Sequence, residues 1–464
     1  MPDTSTSTID ASAPSAQIEA LLTAVAARPR AAEGMRAMMQ RASEFPNPLA
    51  AKLTGIALDP YGREFADRFL DAYWSDEPRQ QAALRATGSG SGTDREVIIG
   101  SGFHAAVYAA VRVLSGHPRP LVLERGDRVG GTFAMTARPT FYLNSRNRGG
   151  NGGLAGDQGA SLNYLPGAPI QAANVSMTEF QTNTDMAWVI RLALTQFADV
   201  VTNAEVVSVV RDGAAVEIQL DGRSALFAGR VIDARGLGDP SDLDIANGST
   251  ILTFGQFMAR MATMWPLRGI RRAAVVGGGD AAKCAVESLL GIGPQPPMAA
   301  AALDSVDRID WYTDTLPTTC ERWQQEIRGR YQAIGRYLRP DRLGLRRLTV
   351  LGRRARPVAL PGLGLIDGRT YDLVVVCTGN REVAVDGLAF SDFYDYPIPD
   401  TDAVVASQHY NLPVFRVGPH ALLPFTPQEF EDGIAEIPAN AVSMFRTATK
   451  TAALAATLPA VTED

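Results

Sequence analysis

Cysteine is nearly missing from this sequence: there are 3 in 464 residues, Cys284, Cys320 and Cys377, and no two form a C-x-x-C pair. So sparse and odd a set excludes a disulfide scaffold and a cysteine-rich metal site, fits a reducing compartment, and leaves no metal expected. Positive charge is not in excess either, with 44 Lys and Arg against 50 Asp and Glu and a net charge of -6. That balance gives no electrostatic footprint for nucleic acid. No apolar run is long enough to span a bilayer, and the opening Met1-Pro2-Asp3-Thr4 has neither a basic nor an apolar leader region. No membrane partner is therefore expected, and the cytoplasm is the expected location. What the chain does have is glycine, 43 residues of it, which suits folds whose loops approach phosphates closely. Its length suffices for two or three domains around a large core.

The most informative stretch is Val97-Ile98-Ile99-Gly100-Ser101-Gly102-Phe103-His104-Ala105, followed by Leu121-Val122-Leu123-Glu124-Arg125. A β-branched run, a turn with two glycines, an alanine-rich amphipathic helix and a second apolar run ending in a carboxylate make a βαβ dinucleotide site. Gly100 allows the tight turn, and Gly102 removes the Cβ that would hold the backbone away from a pyrophosphate. The helix opening at Phe103 offers unpaired N–H groups and its positive dipole end to that anion. Ala105 is small where helix packs on strand, and Glu124, with Arg125 beside it, can accept bonds from a ribose diol.

In chain order, residues 1–14 read as a disordered tail and residues 15–92 as a helical extension and linker. Ile18, Leu21, Leu22 and Val25 share one helical face, Met35, Met38 and Met39 another, and Phe65, Phe69, Leu70 and Tyr73 a third. Ala86 to Thr93 is small, polar and glycine-rich, as a flexible linker is. The double glycine in Arg128-Val129-Gly130-Gly131-Thr132-Phe133 lets a loop pass close beneath a ligand. Phe141 to Gly153 reads as a polar, amide-rich loop facing flavin or substrate. A strand pair through Val200 to Val210 brings the backbone near Val206 toward an adenine edge. Ala215 to Leu220, the turn at Asp221-Gly222 and a return to Ala228 predict an antiparallel hairpin. Arg230 to Gly236 then closes one nucleotide domain.

The pattern restarts with Arg272-Ala273-Ala274-Val275-Val276-Gly277-Gly278-Gly279-Asp280-Ala281-Ala282 and a second strand at Arg308 to Thr313. Later buried strands end at Gly379 and Gly418, and a C-terminal helix is expected from about Ile437 to Leu458. The predicted fold is α/β: two Rossmann-like βαβ nucleotide domains, the second inserted in the first, plus an N-terminal helical extension. The first domain comprises residues 93–255 and 360–464, the second residues 256–359.

Two such turns in one chain resemble the two-dinucleotide-binding-domain flavoproteins, which include class B flavin monooxygenases and thioredoxin-reductase-like enzymes. The resemblance spans roughly residues 95 to 455. It implies FAD in the first unit, with Gly100, Gly102, Ala105 and Glu124 around its ADP portion, together with Ser101, Phe103, His104, Arg125 and Val206. Gly131 and Thr132 would line the flavin side, and Gly379 and Gly418 would mark the ends of returning strands, Gly418 near the isoalloxazine. Gly277, Gly279 and Ala282 would receive the pyrophosphate of NADPH or NADH.

A disulfide reductase needs two neighbouring cysteines, which this chain lacks. Glu124 followed by Gly130-Gly131-Thr132-Phe133 is similar to the pattern of class B monooxygenases, although the Baeyer-Villiger motif and the halogenase Trp-x-Trp-x-Ile-Pro motif are missing. The resemblance thus implies an FAD-dependent, NAD(P)H-consuming monooxygenase, in which a peroxyflavin oxygenates or N-hydroxylates a small molecule. Asn144, Ser145, Asn147 and His420 are the candidate shell around that chemistry, which needs a dry cavity and neutral donors. For the choice of nicotinamide, Asp314 would repel a 2′-phosphate, whereas Arg322, Arg328 and Arg330 could attract one. Small-molecule substrate and oxygen are the expected partners, and a homo-oligomer is left open. Two alternatives stand beside this reading: a flavin oxidase or dehydrogenase reduced by its own substrate, with a vestigial NAD(P) domain, and a non-catalytic flavoprotein that senses redox state or docks a partner.

Overall fold

The computed structural model describes residues 47–59, 61–88, 95–114, 116–134, 141–146, 165, 167–168, 180–213, 215–241, 243–263, 269–293, 306–327, 329–338, 347–397 and 404–418. The expected tail, the first half of the helical extension, residues 89–94 of the linker, Asn147, Arg328, His420 and the C-terminal helix lie outside these described residues.

Three helices open the described chain: α1 (Pro48–Ala57), α2 (Gly62–Ser75) and α3 (Glu77–Gly88). Proline stands first in α1, where its missing N–H costs nothing, and the Asn47 side chain caps the helix by accepting from Ala50 N–H at 3.0 Å. The Asn47 amide also donates to Gly167 O, Leu192 O and Thr195 Oγ1, which ties the extension to the body. Helix α2 buries Ala66, Leu70 and Trp74, whereas Phe65 and Phe69 are exposed. Of the apolar face expected from Phe65, Phe69, Leu70 and Tyr73, Leu70 and Tyr73 therefore pack against the core while the two phenylalanines do not. The small Ala66 permits a close approach that Trp74 and Leu70 complete, together with Ala50, Leu53 and Ala57 of α1.

The first βαβ unit follows as β1 (Glu96–Ile99), α4 (Phe103–Leu114) and β2 (Leu121–Leu123). Next come β3 (Tyr142–Arg146), β4 (Phe180–Thr182), α5 (Asn183–Phe197) and β5 (Asp199–Val201). Thr182 and Asp185 close a capping box at the start of α5, satisfying two otherwise unpaired donors. The expected polar loop at Phe141 begins instead as a strand, with Tyr142 opposite Thr182 and Arg146 opposite Phe180. Its aromatic and apolar start favours pairing over a free loop. The meander β6 (Val206–Asp212), β7 (Ala215–Leu220) and β8 (Leu226–Ala228) matches the expected hairpin and leads into β9 (Arg230–Asp233).

Beyond β10 (Asp239–Pro240), the chain builds a second sheet from β11 (Ile251–Thr253), β12 (Arg272–Val276) and β13 (Arg308–Tyr312). Helices α6 (Phe254–Thr263), α7 (Asp280–Leu290) and α8 (Cys320–Glu326) accompany them, with a 3-10 segment at Gly329–Leu338. Then come β14 (Arg347–Leu351), the meander β15 (Val358–Leu360), β16 (Leu363–Ile366) and β17 (Arg369–Tyr371), and β18 (Leu373–Val376). Short β19 (Asn380–Arg381) pairs antiparallel with β10. The chain returns through β20 (Phe393–Pro397), β21 (Val404–His409) and β22 (Val414–Arg416).

The first sheet runs β20-β21-β22-β9-β1-β2-β5, and its β22, β9, β1, β2 and β5 are parallel. The second runs β11-β18-β12-β13-β14, parallel throughout. Two parallel sheets, one inserted in the other, confirm the α/β class. The expected boundary of the inserted unit, residues 256–359, needs correction: both β11 and β18 belong to the second sheet, so that sheet extends from Ile251 to Val376. Leu373-Val374-Val375-Val376 is buried on both faces, and a strand of that kind reads the same in either sheet. Among the described residues, no helix is long and apolar enough to cross a membrane.

Candidate dinucleotide sites

Both glycine turns lie where a parallel sheet places a ligand, at the carboxyl end of a central strand and the start of a helix. At the first, Gly100 has φ +98°, and a Cβ there would stand 2.6 Å from Ala234 O, so only glycine serves. Gly131 approaches so near that a Cβ on it would lie 2.9 Å from the Gly102 Cα. The double-glycine loop thus rests on the turn itself.

Ser101 binds these pieces together. Its N–H and hydroxyl donate to Glu124 Oε2 at 3.1 and 2.5 Å, and Gly130 N–H donates to its Oγ at 3.1 Å. Glu124 Oε1 accepts from Gly126 N–H at 2.8 Å. A carboxylate offers about four lone-pair positions, so Glu124 keeps room for a hydroxyl while already ordering the turn. Arg125 points elsewhere, pairing with Asp239 at 2.5 Å on the surface.

Phe103 and Ala105 are buried in the helix-sheet core, and Thr132 is within the 3-10 turn Gly131–Phe133. His104 is also buried, its Nε2 has no hydrogen-bond partner, and burial pulls its pKa down to about 4. The imidazole is therefore neutral near pH 7. Gly418, just past β22, faces it: a Cβ there would be 3.8 Å from His104 Nδ1. Gly379 follows β18 in open space, and Val206 starts β6 with its side chain buried. Asn144 and Ser145 lie in β3, with side chains outside the described residues.

Sequence reasoning missed a charged cluster at the ends of β9 and β22. Arg235 grips Asp233 through Nε to Oδ1 at 2.8 Å and Nη2 to Oδ2 at 3.0 Å, while Arg416 Nε reaches Asp233 Oδ2 at 2.9 Å. Both arginines also meet Glu382 Oε1, at 3.1 and 3.3 Å. Burial alone would raise the Asp233 pKa, but hydrogen bonds and charge from Arg235 and Arg416 hold it below the ordinary carboxylate value. These residues border a shallow, open crevice that also touches Gly236 and Gly238. An available signal was a charge at the end of each otherwise apolar strand, since an ion is buried only when paired.

At the second turn, Gly277 has φ +122°, and a Cβ would collide with Cys377 O at 2.2 Å. Trp311 Nε1 donates to Gly277 O at 2.7 Å and fixes that loop. Gly279 has open space around it, and Ala282 is buried beneath. Asp280 opens α7 and pairs with Lys283 at 3.1 Å. Past β13, Asp314 binds Arg354 Nε at 2.7 Å. The arginines expected there lie differently. Arg322 pairs with Glu326, while Arg330 is buried against Glu287 at 2.5 Å and donates to Cys284 Sγ at 3.0 Å. Arg354, from the neighbouring strand β14's exit, is close in space and far in sequence.

The cysteines offer no dithiol. Cys284 and Cys320 are buried and Cys377 is half-buried, and none is in a disulfide. Desolvation pushes the Cys284 thiol up to about 11.

No family model matches this chain, and no curated protein matches it. Among solved structures it is similar to a flavin-containing monooxygenase from Stenotrophomonas maltophilia, at 16% identity over 78% of this chain and 98% of that one, with a TM-score of 0.47. It is also similar to an ornithine N-hydroxylase of Kutzneria sp. 744, at 12% identity over 77% and 97% of the two chains, TM-score 0.49. A thioredoxin reductase from Lactococcus lactis matches at 16% identity over 77% and 97%, TM-score 0.44.

Proposed function

We propose that the protein is an FAD-dependent, NAD(P)H-consuming monooxygenase acting on a small molecule. The observation that carries this reading is the pair of glycine turns, each at the carboxyl end of a central strand in its own parallel sheet, in a chain without neighbouring cysteines. The residues fit the cofactor. Gly100 and Gly102 leave backbone room, the α4 N-terminus offers N–H donors to a pyrophosphate, and Glu124 keeps acceptor capacity for a ribose. The orphaned His104 Nε2 is a buried polar atom that a ligand would satisfy. Gly277, Gly279 and the α7 N-terminus would take the nicotinamide dinucleotide.

When bound, the flavin supplies the electron-transfer and oxygen chemistry. The chain's own part is to bind, orient and exclude water. Buried Phe103, His104 and Ala105 wall one side of the first turn, and neutral His104 adds a hydrogen-bonding group without a charge. The chain's cysteines are not neighbours and would give a bound flavin no dithiol to reduce, which supports oxygen over a disulfide as the acceptor.

The test is direct. Purified protein should be yellow, or become so with FAD; NADPH should bleach it without oxygen, and ¹⁸O₂ should label a product. Protein that binds no flavin sinks the proposal. Asp280 favours the second reading, a substrate-reduced oxidase, because an acid at the α7 N-terminus opposes a pyrophosphate there. Anaerobic bleaching by substrate and not by NAD(P)H would select that reading.

A further inference from the structure

The N-terminal helices are joined to the first glycine turn by a continuous set of charged contacts. Asp71 of α2 accepts from Arg128 Nη2 at 3.0 and 3.2 Å and from Arg128 Nε at 3.3 Å. Arg128 opens the loop Arg128-Val129-Gly130-Gly131. The same carboxylate accepts from Arg191 Nη2 of α5 at 2.6 Å. Arg191 in turn reaches Asp67 at 3.4 Å, and Arg63 of α2 joins Asp67 to Asp185 of α5 at 3.1 and 3.2 Å.

The far side of the loop is equally tied. Val129 is buried in the core, and a Cβ on Gly130 would meet Ala187 of α5 at 3.3 Å. Gly130 N–H holds the Ser101 hydroxyl, and Gly131 lies on Gly102. The loop is therefore fixed on three sides: by α5, by the turn, and by α2 through one arginine. Only the last belongs to a segment outside the βαβ framework.

We propose that the helical extension is a working part of the dinucleotide site: Asp71, through Arg128, is a positioning residue that presses the Gly130-Gly131 loop against the Gly100-Ser101-Gly102 turn and thereby sets the affinity for FAD. The claim about affinity rests on the flavin reading above, whereas the claim about loop position does not. Arg128 pairs from the loop side and Arg191 from the helix side, so the Arg128 link can be cut while Arg191 and Asp67 still hold α2 to α5.

The experiment compares the full-length wild type with Arg128→Gln, Arg128→Lys and Asp71→Asn. Two quantities are read: the FAD dissociation constant, and amide exchange of residues 126–134 and 183–197 in flavin-free protein. Arg128→Gln and Asp71→Asn should each raise the FAD dissociation constant roughly tenfold, with Arg128→Lys recovering most of the loss. Exchange at 126–134 should quicken in Arg128→Gln, with 183–197 as protected as in wild type. Unchanged loop exchange in Arg128→Gln overturns the clamp, and so does equal loosening of 183–197, which would make Arg128 a general stabiliser. Faster loop exchange with unchanged FAD affinity overturns the link to binding. Wild-type protein that takes up no FAD removes the flavin reading alone, and the exchange comparison still decides the clamp.

Discussion

The hydroxyl of Ser101 stands 2.5 Å from a carboxylate oxygen of Glu124 and also accepts the Gly130 N–H at 3.1 Å. One atom thus joins the first strand's turn, the second strand's end and the loop that follows it. Ser101→Ala leaves a buried carboxylate short of a donor and a loop amide short of an acceptor. A loss of about 1–3 kcal/mol in folding stability is expected, read from the denaturant midpoint. A midpoint within experimental error of wild type would mean that Glu124 finds another donor.

His104 carries opposed costs and benefits. Its unpartnered Nε2 penalises the empty protein, so His104→Phe should leave the flavin-free melting temperature unchanged or higher while weakening FAD binding. Its depressed pKa adds a second sign. Stability from the neutral ring is full above about 6.5 and is lost as pH falls toward about 4, so the variant should melt less acid-sensitively. Tighter FAD binding by the variant would contradict the assignment.

Glu287 behaves in the reverse sense. Burial raises its carboxyl from 4.5 to about 7 despite Arg330 at 2.5 Å. The folded state then holds the proton more firmly than the unfolded chain. The associated stability is complete below 4.5 and lost as pH rises through about 7. The upper limit is about 3 kcal/mol. Melting temperature followed across this range should slope less in Glu287→Gln than in wild type, and parallel slopes would refute it.

If the second turn takes a nicotinamide dinucleotide as proposed, Asp314 and Arg354 are the residues that would bear on the choice between NADH and NADPH. Their contact is exposed, so it adds little stability, but it lies just past the second strand β13, where the ribose of the proposed dinucleotide would sit. Asp314→Asn should lower KM for NADPH relative to NADH by roughly threefold or more, and Arg354→Ala should do the opposite. A change of equal size for both cofactors would show that neither residue reads the 2′-phosphate.

The two glycine turns were legible because their requirement is local: Gly100 and Gly277 need a positive φ and space that no other side chain leaves. What sequence concealed depends on partners far along the chain. Leu373-Val374-Val375-Val376 announces a buried strand but not which sheet receives it. Arg354 lies 40 residues from the aspartate it pairs with, whereas nearby Arg330, an apparent candidate, turns inward to Glu287. Of the meander β15 to β17, the sequence announces the turn at Asp367-Gly368 that joins β16 to β17, but not β15, since Val358-Ala359-Leu360 is exposed throughout and lacks an alternating pattern. Phe65 and Phe69 misled for a related reason. Helical spacing marks a face without saying whether the body lies on that side.

The pairing of β10 with β19 has a mechanical consequence. The outgoing and returning links between the two sheets do not run separately: Pro240 faces Asn380, Asp239 faces Arg381, and Ser241 N–H donates to Gly379 O at 3.0 Å. Two independent tethers would let one body swivel and slide against the other. Stitched side by side, they form a short ribbon that resists twisting and shear more than two separate strands of chain would, and so favours opening and closing over swivelling of the two nucleotide units.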